Sequence, residues 1–161
     1  MPRRKRKMEE LKLGSIELSY EYRMHVELSK AILGNSRHQE TIENAILESY
    51  LLHTRSLIDF FYNRDSDESD DIVAQDFMLP SKQWGEIRPP MPEKLKQAKI
   101  RANKYLAHLT YERTSATSDT KFWDVQYLYK SIRNLMSVFL ENVKDENLSD
   151  YLITTKENFK D

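Results

Sequence analysis

Two residues in this chain have the types and the spacing for polar chemistry. They are Arg101 and His108, within Arg101-Ala-Asn-Lys-Tyr-Leu-Ala-His108. On an α-helix, seven residues make two turns, so both side chains belong to one face, with their Cα atoms about 10 Å apart along the axis. A permanent cation beside a group that titrates near neutral pH suits phosphodiester cleavage. Side chains on a helix lean toward its N-terminus, so the two need not touch. They would flank a phosphate, or act with their copies across a two-fold dimer. Lys104, Tyr105 and Glu112 share the face. The plainer reading of the spacing is a solvated charged face that happens to carry a histidine.

Other chemistries find little support in the residue types. There is no cysteine, which removes thiol nucleophiles, disulfides and zinc–thiolate sites. Glycine occurs three times, at Gly14, Gly34 and Gly85, too sparsely for a phosphate-cradling loop. Di-iron bundles need Glu-x-x-His pairs, yet the residues three before His25, His53 and His108 are Tyr22, Tyr50 and Tyr105. The acidic run from Asp65 has Asp70 where a calcium loop needs glycine. The reading is therefore no metal and no cofactor. His53 lies on an apolar helix face and reads as a hydrogen-bonded core residue, with Arg55 spaced to pair with Asp59.

The elements that must position Arg101 and His108 are helices. The 161 residues carry 32% charged side chains and a net charge of -1, with a mean hydropathy of -0.73. That predicts a soluble cytoplasmic domain with no membrane span and no overall basic excess for nucleic acid. Charge is uneven: Arg3 to Lys7 form a basic arm, and Asp65, Asp67, Glu68, Asp70 and Asp71 an acidic cluster. Residues 1–14 read as a flexible arm. Ile16, Leu18, Tyr20, Tyr22, Met24, Val26 and Leu28 alternate as a half-buried strand would, but no second alternating run exists to pair with it. A helix over 18–33, ended by Gly34-Asn35, is the better assignment.

The remaining helices are plainer. Residues 38–63 carry apolar side chains on much of their circumference, which predicts a central helix. Residues 64–91 form a long connection whose Ile72, Val73, Phe77, Met78, Leu79 and Trp84 predict a cap folded over the bundle. A third helix opens at Pro92-Glu93 and runs to about Arg113. A fourth covers about 120–144, with Val125, Leu128, Ile132, Leu135, Met136, Phe139 and Val143 at helical spacing, and residues 146–161 form a tail. The expected architecture is all-α: an up-down four-helix bundle over 15–145 with an irregular insertion between helices 2 and 3.

Three patches carry a resemblance: Asn44 to Tyr62, Asp70 to Phe77, and Asn103 to Arg113. Across roughly 40–113 they resemble a group of bacterial helical proteins that is similar in turn to the HEPN superfamily. The mark of that superfamily is an arginine followed by four to six residues and a histidine on a late helix. The resemblance implies a homodimer in which the two residues meet at the interface and cleave RNA without metal. Arg101 would then stabilise charge on the phosphate and His108 would act as general acid or base. Asn103, Lys104, Tyr105 and Arg113 would bind substrate. HEPN motifs usually place a polar residue directly after the arginine, whereas here Ala102 follows and Asn103 comes next. The alternative is a non-catalytic interaction protein, in which the same face and the 72–84 insertion dock a protein partner.

Overall fold

The computed structural model describes residues 4–34, 37–63, 70–107, 111, 114 and 122–160. Among them every regular element is helical, and no helix is long and apolar enough to cross a membrane. The α-helices are α1 (Met8–Leu33), α2 (Glu40–Tyr62), the single turn α3 (Trp84–Ile87), α4 (Glu93–Ala107), α5 (Val125–Asn142) and α6 (Asp150–Asn158). The 3₁₀ turns Ala74–Phe77 and Asp145–Asn147 interrupt the connections.

Helix α1 starts ten residues earlier than the expected 18, and the arm is correspondingly shorter. Its start has a local cause: the Glu10 carboxylate accepts the Lys7 N–H at 2.9 Å, and Glu9 and Glu10 suit the positive end of the helix dipole. The alternating run is helical because burial follows a three-and-four pattern. Leu11, Leu18, Tyr22, His25 and Ser29 face inward, while Ile16 and Tyr20 face outward. A lone strand would have left its backbone groups unpaired; the helix satisfies them internally.

Helices α1 and α2 form an antiparallel pair, with Glu21 opposite His53 and, a turn further along α1, His25 against Tyr50, earlier in α2. Further along α2, Phe60 and Phe61 join Phe77, Trp84 and Phe139 in an aromatic cluster with ring centroids 5.0–6.1 Å apart, mostly edge to face. Residues 70–91 thus contribute Val73, Phe77 and Trp84 to the core rather than running free. They also finish α2. The Phe61 carbonyl, in the last turn, accepts the Trp84 indole N–H at 2.8 Å and the Arg88 guanidinium at 2.7 Å.

Helix α5 buries Val125, Leu128, Ile132, Leu135, Met136, Phe139 and Leu140 along one stripe, as its spacing predicts. The segment expected to be a polar tail holds α6, whose Ser149 cap is tied to α1. The Ser149 N–H donates to Ser15 Oγ, and the Ser149 hydroxyl bonds that of Ser19. Buried Ser15 and Ser19, both small, give the C-terminal segment the close approach those bonds need.

Candidate site in the cleft between helices α4 and α5

Helix α4 turns Leu95, Ala98 and Ala102 into the core, which leaves Lys94, Gln97 and Arg101 along its outer face. Across from them the chain enters α5 through Phe122, Trp123 and Asp124. Between the two lies a cleft of about 220 Å³, lined also by Tyr127.

Two cations in this cleft sit on aromatic faces. The Arg101 guanidinium carbon is 4.0 Å from the Trp123 ring centroid, and its Nη1 donates to the Phe122 carbonyl at 3.2 Å. Lys94 Nζ lies 4.6 Å from the Tyr127 ring centroid and donates to Asp124 Oδ2 at 2.7 Å. The other Asp124 oxygen accepts the Tyr127 N–H at 3.1 Å and caps α5. The Lys94 hydrogen bond, followed by that cap, holds the Asp124 carboxyl below the usual carboxylate range. Phe122 itself is 68% exposed at the mouth of the cleft. Cation–aromatic stacks beside an open aromatic ring suit a phosphate-linked base: the ring takes the base face, and the cations meet the phosphate.

The residues singled out from sequence divide as follows. Arg101 is half-buried in this cleft, and Asn103, Lys104 and Tyr105 continue α4 beyond it, with Lys104 exposed and the other two half-buried. His108 and Arg113 lie outside the described residues. The cleft adds Lys94, Phe122, Trp123 and Tyr127, which sequence reasoning did not single out. The helical spacing of Lys94 from Arg101 was legible. The pairing with residues 122–127 was not, because Lys94 and Asp124 are separated by 30 positions.

Two histidines belong to the α1–α2 seam instead. His53 Nδ1 bonds Glu21 Oε2 at 2.8 Å, with Tyr20 edge-on to its ring at 5.5 Å. The spaced pair Arg55 and Asp59 is also present, at 3.9 Å. His25 is fully buried between Tyr50 and Tyr129, with ring centroids at 4.9 and 6.2 Å. Thr54 donates its hydroxyl to the Tyr50 carbonyl at 2.8 Å, so His25 Nδ1 acts as donor to Thr54 Oγ1 at 3.0 Å. Among the described residues His25 Nε2 has no hydrogen-bond partner. Burial, and secondarily the neighbouring His53, pushes the His25 pKa down to about 3.

Comparison of the chain with protein-family models, curated proteins and solved structures gave no match.

Proposed function

We propose that this protein is a HEPN-like up-down helical bundle that binds RNA in the α4–α5 cleft. Two copies bring Arg101 and His108 together for metal-independent cleavage. The observation that carries the reading is Arg101 stacked on Trp123 beside the open Phe122 ring, a cation and a stacking platform at one place. The overall charge of -1 is no obstacle, because cations outnumber carboxylates in the cleft and Lys104 extends the positive face.

In the proposed chemistry Arg101 stabilises the charge that grows on the phosphate oxygens. His108 passes a proton to or from the ribose and leaving-group oxygens. The test is binding and cleavage of labelled mixed RNA by the purified protein in chelator. Wild type should cleave, and His108→Ala should bind without cleaving. Trp123→Ala should weaken binding about tenfold, the size of one lost base stack. Absence of binding by wild type defeats the reading, and so does full cleavage by pure His108→Ala.

A second reading draws on the same contacts. Arg101 and Lys94 both bond across to the entry of α5, which suits a non-catalytic interaction protein whose cleft residues lock α4 to α5. There, Arg101→Ala lowers the unfolding midpoint, and wild type shows no RNA affinity.

A further inference from the structure

The outer face of α1 carries exposed apolar side chains, of which Tyr20 meets the His53 ring with one edge. Leu13, Ile16 and Tyr20 are 66%, 51% and 44% exposed. Single exposed apolar side chains are ordinary on any protein surface. These three are spaced by three and four residues, the repeat of a helix–helix seam, on the side of α1 opposite its buried Leu18 and His25. The same stripe continues into charge: the exposed Glu9 lies on its N-terminal side and the exposed Arg23 on its C-terminal side.

That charge order makes the stripe complementary to itself. Glu9 and Arg23 each lie seven residues from Ile16, about 10 Å along the axis in opposite directions. When two α1 helices cross antiparallel about a two-fold axis at Ile16, Ile16 meets its own copy. Leu13 then comes level, within one residue, with Tyr20 of the second copy. Glu9 faces Arg23 twice, once in each direction. Parallel packing would instead set Glu9 against Glu9 and Arg23 against Arg23. The basic residues Arg4 to Lys7 lie beyond Glu9 and so arrive at the end of the second helix that carries the exposed Glu27.

Beside Leu13 and Ile16 the surface is recessed. A cleft of about 510 Å³ runs between α1 and residues 70–77, with Gly14, Ile72 and Phe77 among its lining. Gly14 permits this, because a Cβ there would stand 3.3 Å from Ile72 Cγ2. The recess lies at the level that Tyr20 of a second copy would reach in that antiparallel arrangement.

We infer that α1 is a homodimerisation face: two copies pack α1 against α1 antiparallel through Leu13, Ile16 and Tyr20, with reciprocal Glu9–Arg23 pairs. This surface is separate from the α4–α5 cleft, so RNA binding in the cleft does not depend on it, while the two-copy cleavage proposed above needs its own contact between protomers.

The test uses light scattering from about 1 to 100 µM protein together with cross-linking. Wild type should form a dimer, and Ile16→Glu should be monomeric with an unchanged helical circular dichroism spectrum. Glu9→Arg and Arg23→Glu should each weaken the dimer about tenfold by turning both pairs repulsive, and the double variant should restore it. The chain has no cysteine, so Ile16→Cys supplies the only thiol and should form a disulfide dimer on mild oxidation. A wild type that stays monomeric throughout overturns the inference. So does a dimer that survives Ile16→Glu and leaves the Ile16→Cys thiols unlinked, which would place the interface on another face. RNA binding by the cleft is read separately, so a monomeric wild type that still binds RNA defeats the α1 interface and two-copy cleavage while sparing the binding reading.

Discussion

Replacing His25 should change how stability depends on pH, by an amount set by its surroundings. His25 is fully buried, its Nδ1 is committed to Thr54, and among the described residues Nε2 has no acceptor or donor opposite it. A proton on Nε2 would be a buried charge with no partner, so the folded protein holds the ring neutral, with a pKa near about 3 against an ordinary 6.5. Below pH 6.5 the unfolded chain takes up a proton that the folded chain refuses. The stability contribution is therefore whole above pH 7 and is lost as pH falls from 6.5 toward 3. At pH 5 the offset from the ordinary value is 1.5 units, equivalent to about 2 kcal/mol. With a slope typical of small domains, that lowers the urea midpoint by about 1 M. Carboxylates held below their usual range, Asp124 and Asp145 among them, lose their contribution only in more acid solution, and His38, His53 and His108 are common to wild type and a His25 variant, so comparing the two between pH 7 and 5 isolates His25. His25→Phe keeps a ring between Tyr50 and Tyr129 and removes the titration. Urea midpoints at pH 7 and pH 5 should then differ by about 2 kcal/mol less in the variant than in wild type. Parallel falls in the two proteins would show that His25 is protonated, or the core open, at pH 5.

Two further substitutions test the packing of α1. Gly14→Ala should raise stability by about 0.5–1 kcal/mol in urea unfolding. A mid-helix glycine gains from the replacement, and the neighbour it approaches, Ile72, is 40% exposed and free to shift a few tenths of an ångström. A loss instead would mean that residues 70–77 are held more rigidly than their exposure implies. Ser15→Ala should cost about 1–3 kcal/mol, because it strands the buried Ser149 N–H at the start of α6. Hydrogen exchange should then rise in α6 before it rises in α2, and equal protection in both helices would refute the coupling.

The sequence by itself determined the helical character and much of the core. The three-and-four spacing of Val125, Leu128, Ile132, Leu135, Met136 and Phe139 fixes which side of α5 is buried, since a helix offers only one way to bring those residues together. Punctuation set the boundary at Pro92, and the apolar residues Val73, Phe77 and Trp84 marked their connection as part of the core. Local signals were weaker guides where two periods overlap. The segment 16–28 satisfies a strand and a helix in pattern; the lack of a second alternating run favoured the helix, and the burial of Leu18 and Tyr22 in the core and of His25 against Tyr50 settles it. The candidate site was half legible. Arg101 has a type and a spacing that draw notice, but what it touches depends on residues 21 positions away at Phe122. Cation–aromatic pairing of that kind has no period in the chain. It exists only because the burial of Leu95, Ala98 and Ala102 rolls Lys94 and Arg101 toward the entry of α5. The outward stripe on α1 has the same origin: sequence supplies Leu13, Ile16 and Tyr20, and the tertiary structure decides that they face away from the core, because one helix cannot bury two opposite faces in a bundle that packs it on one side.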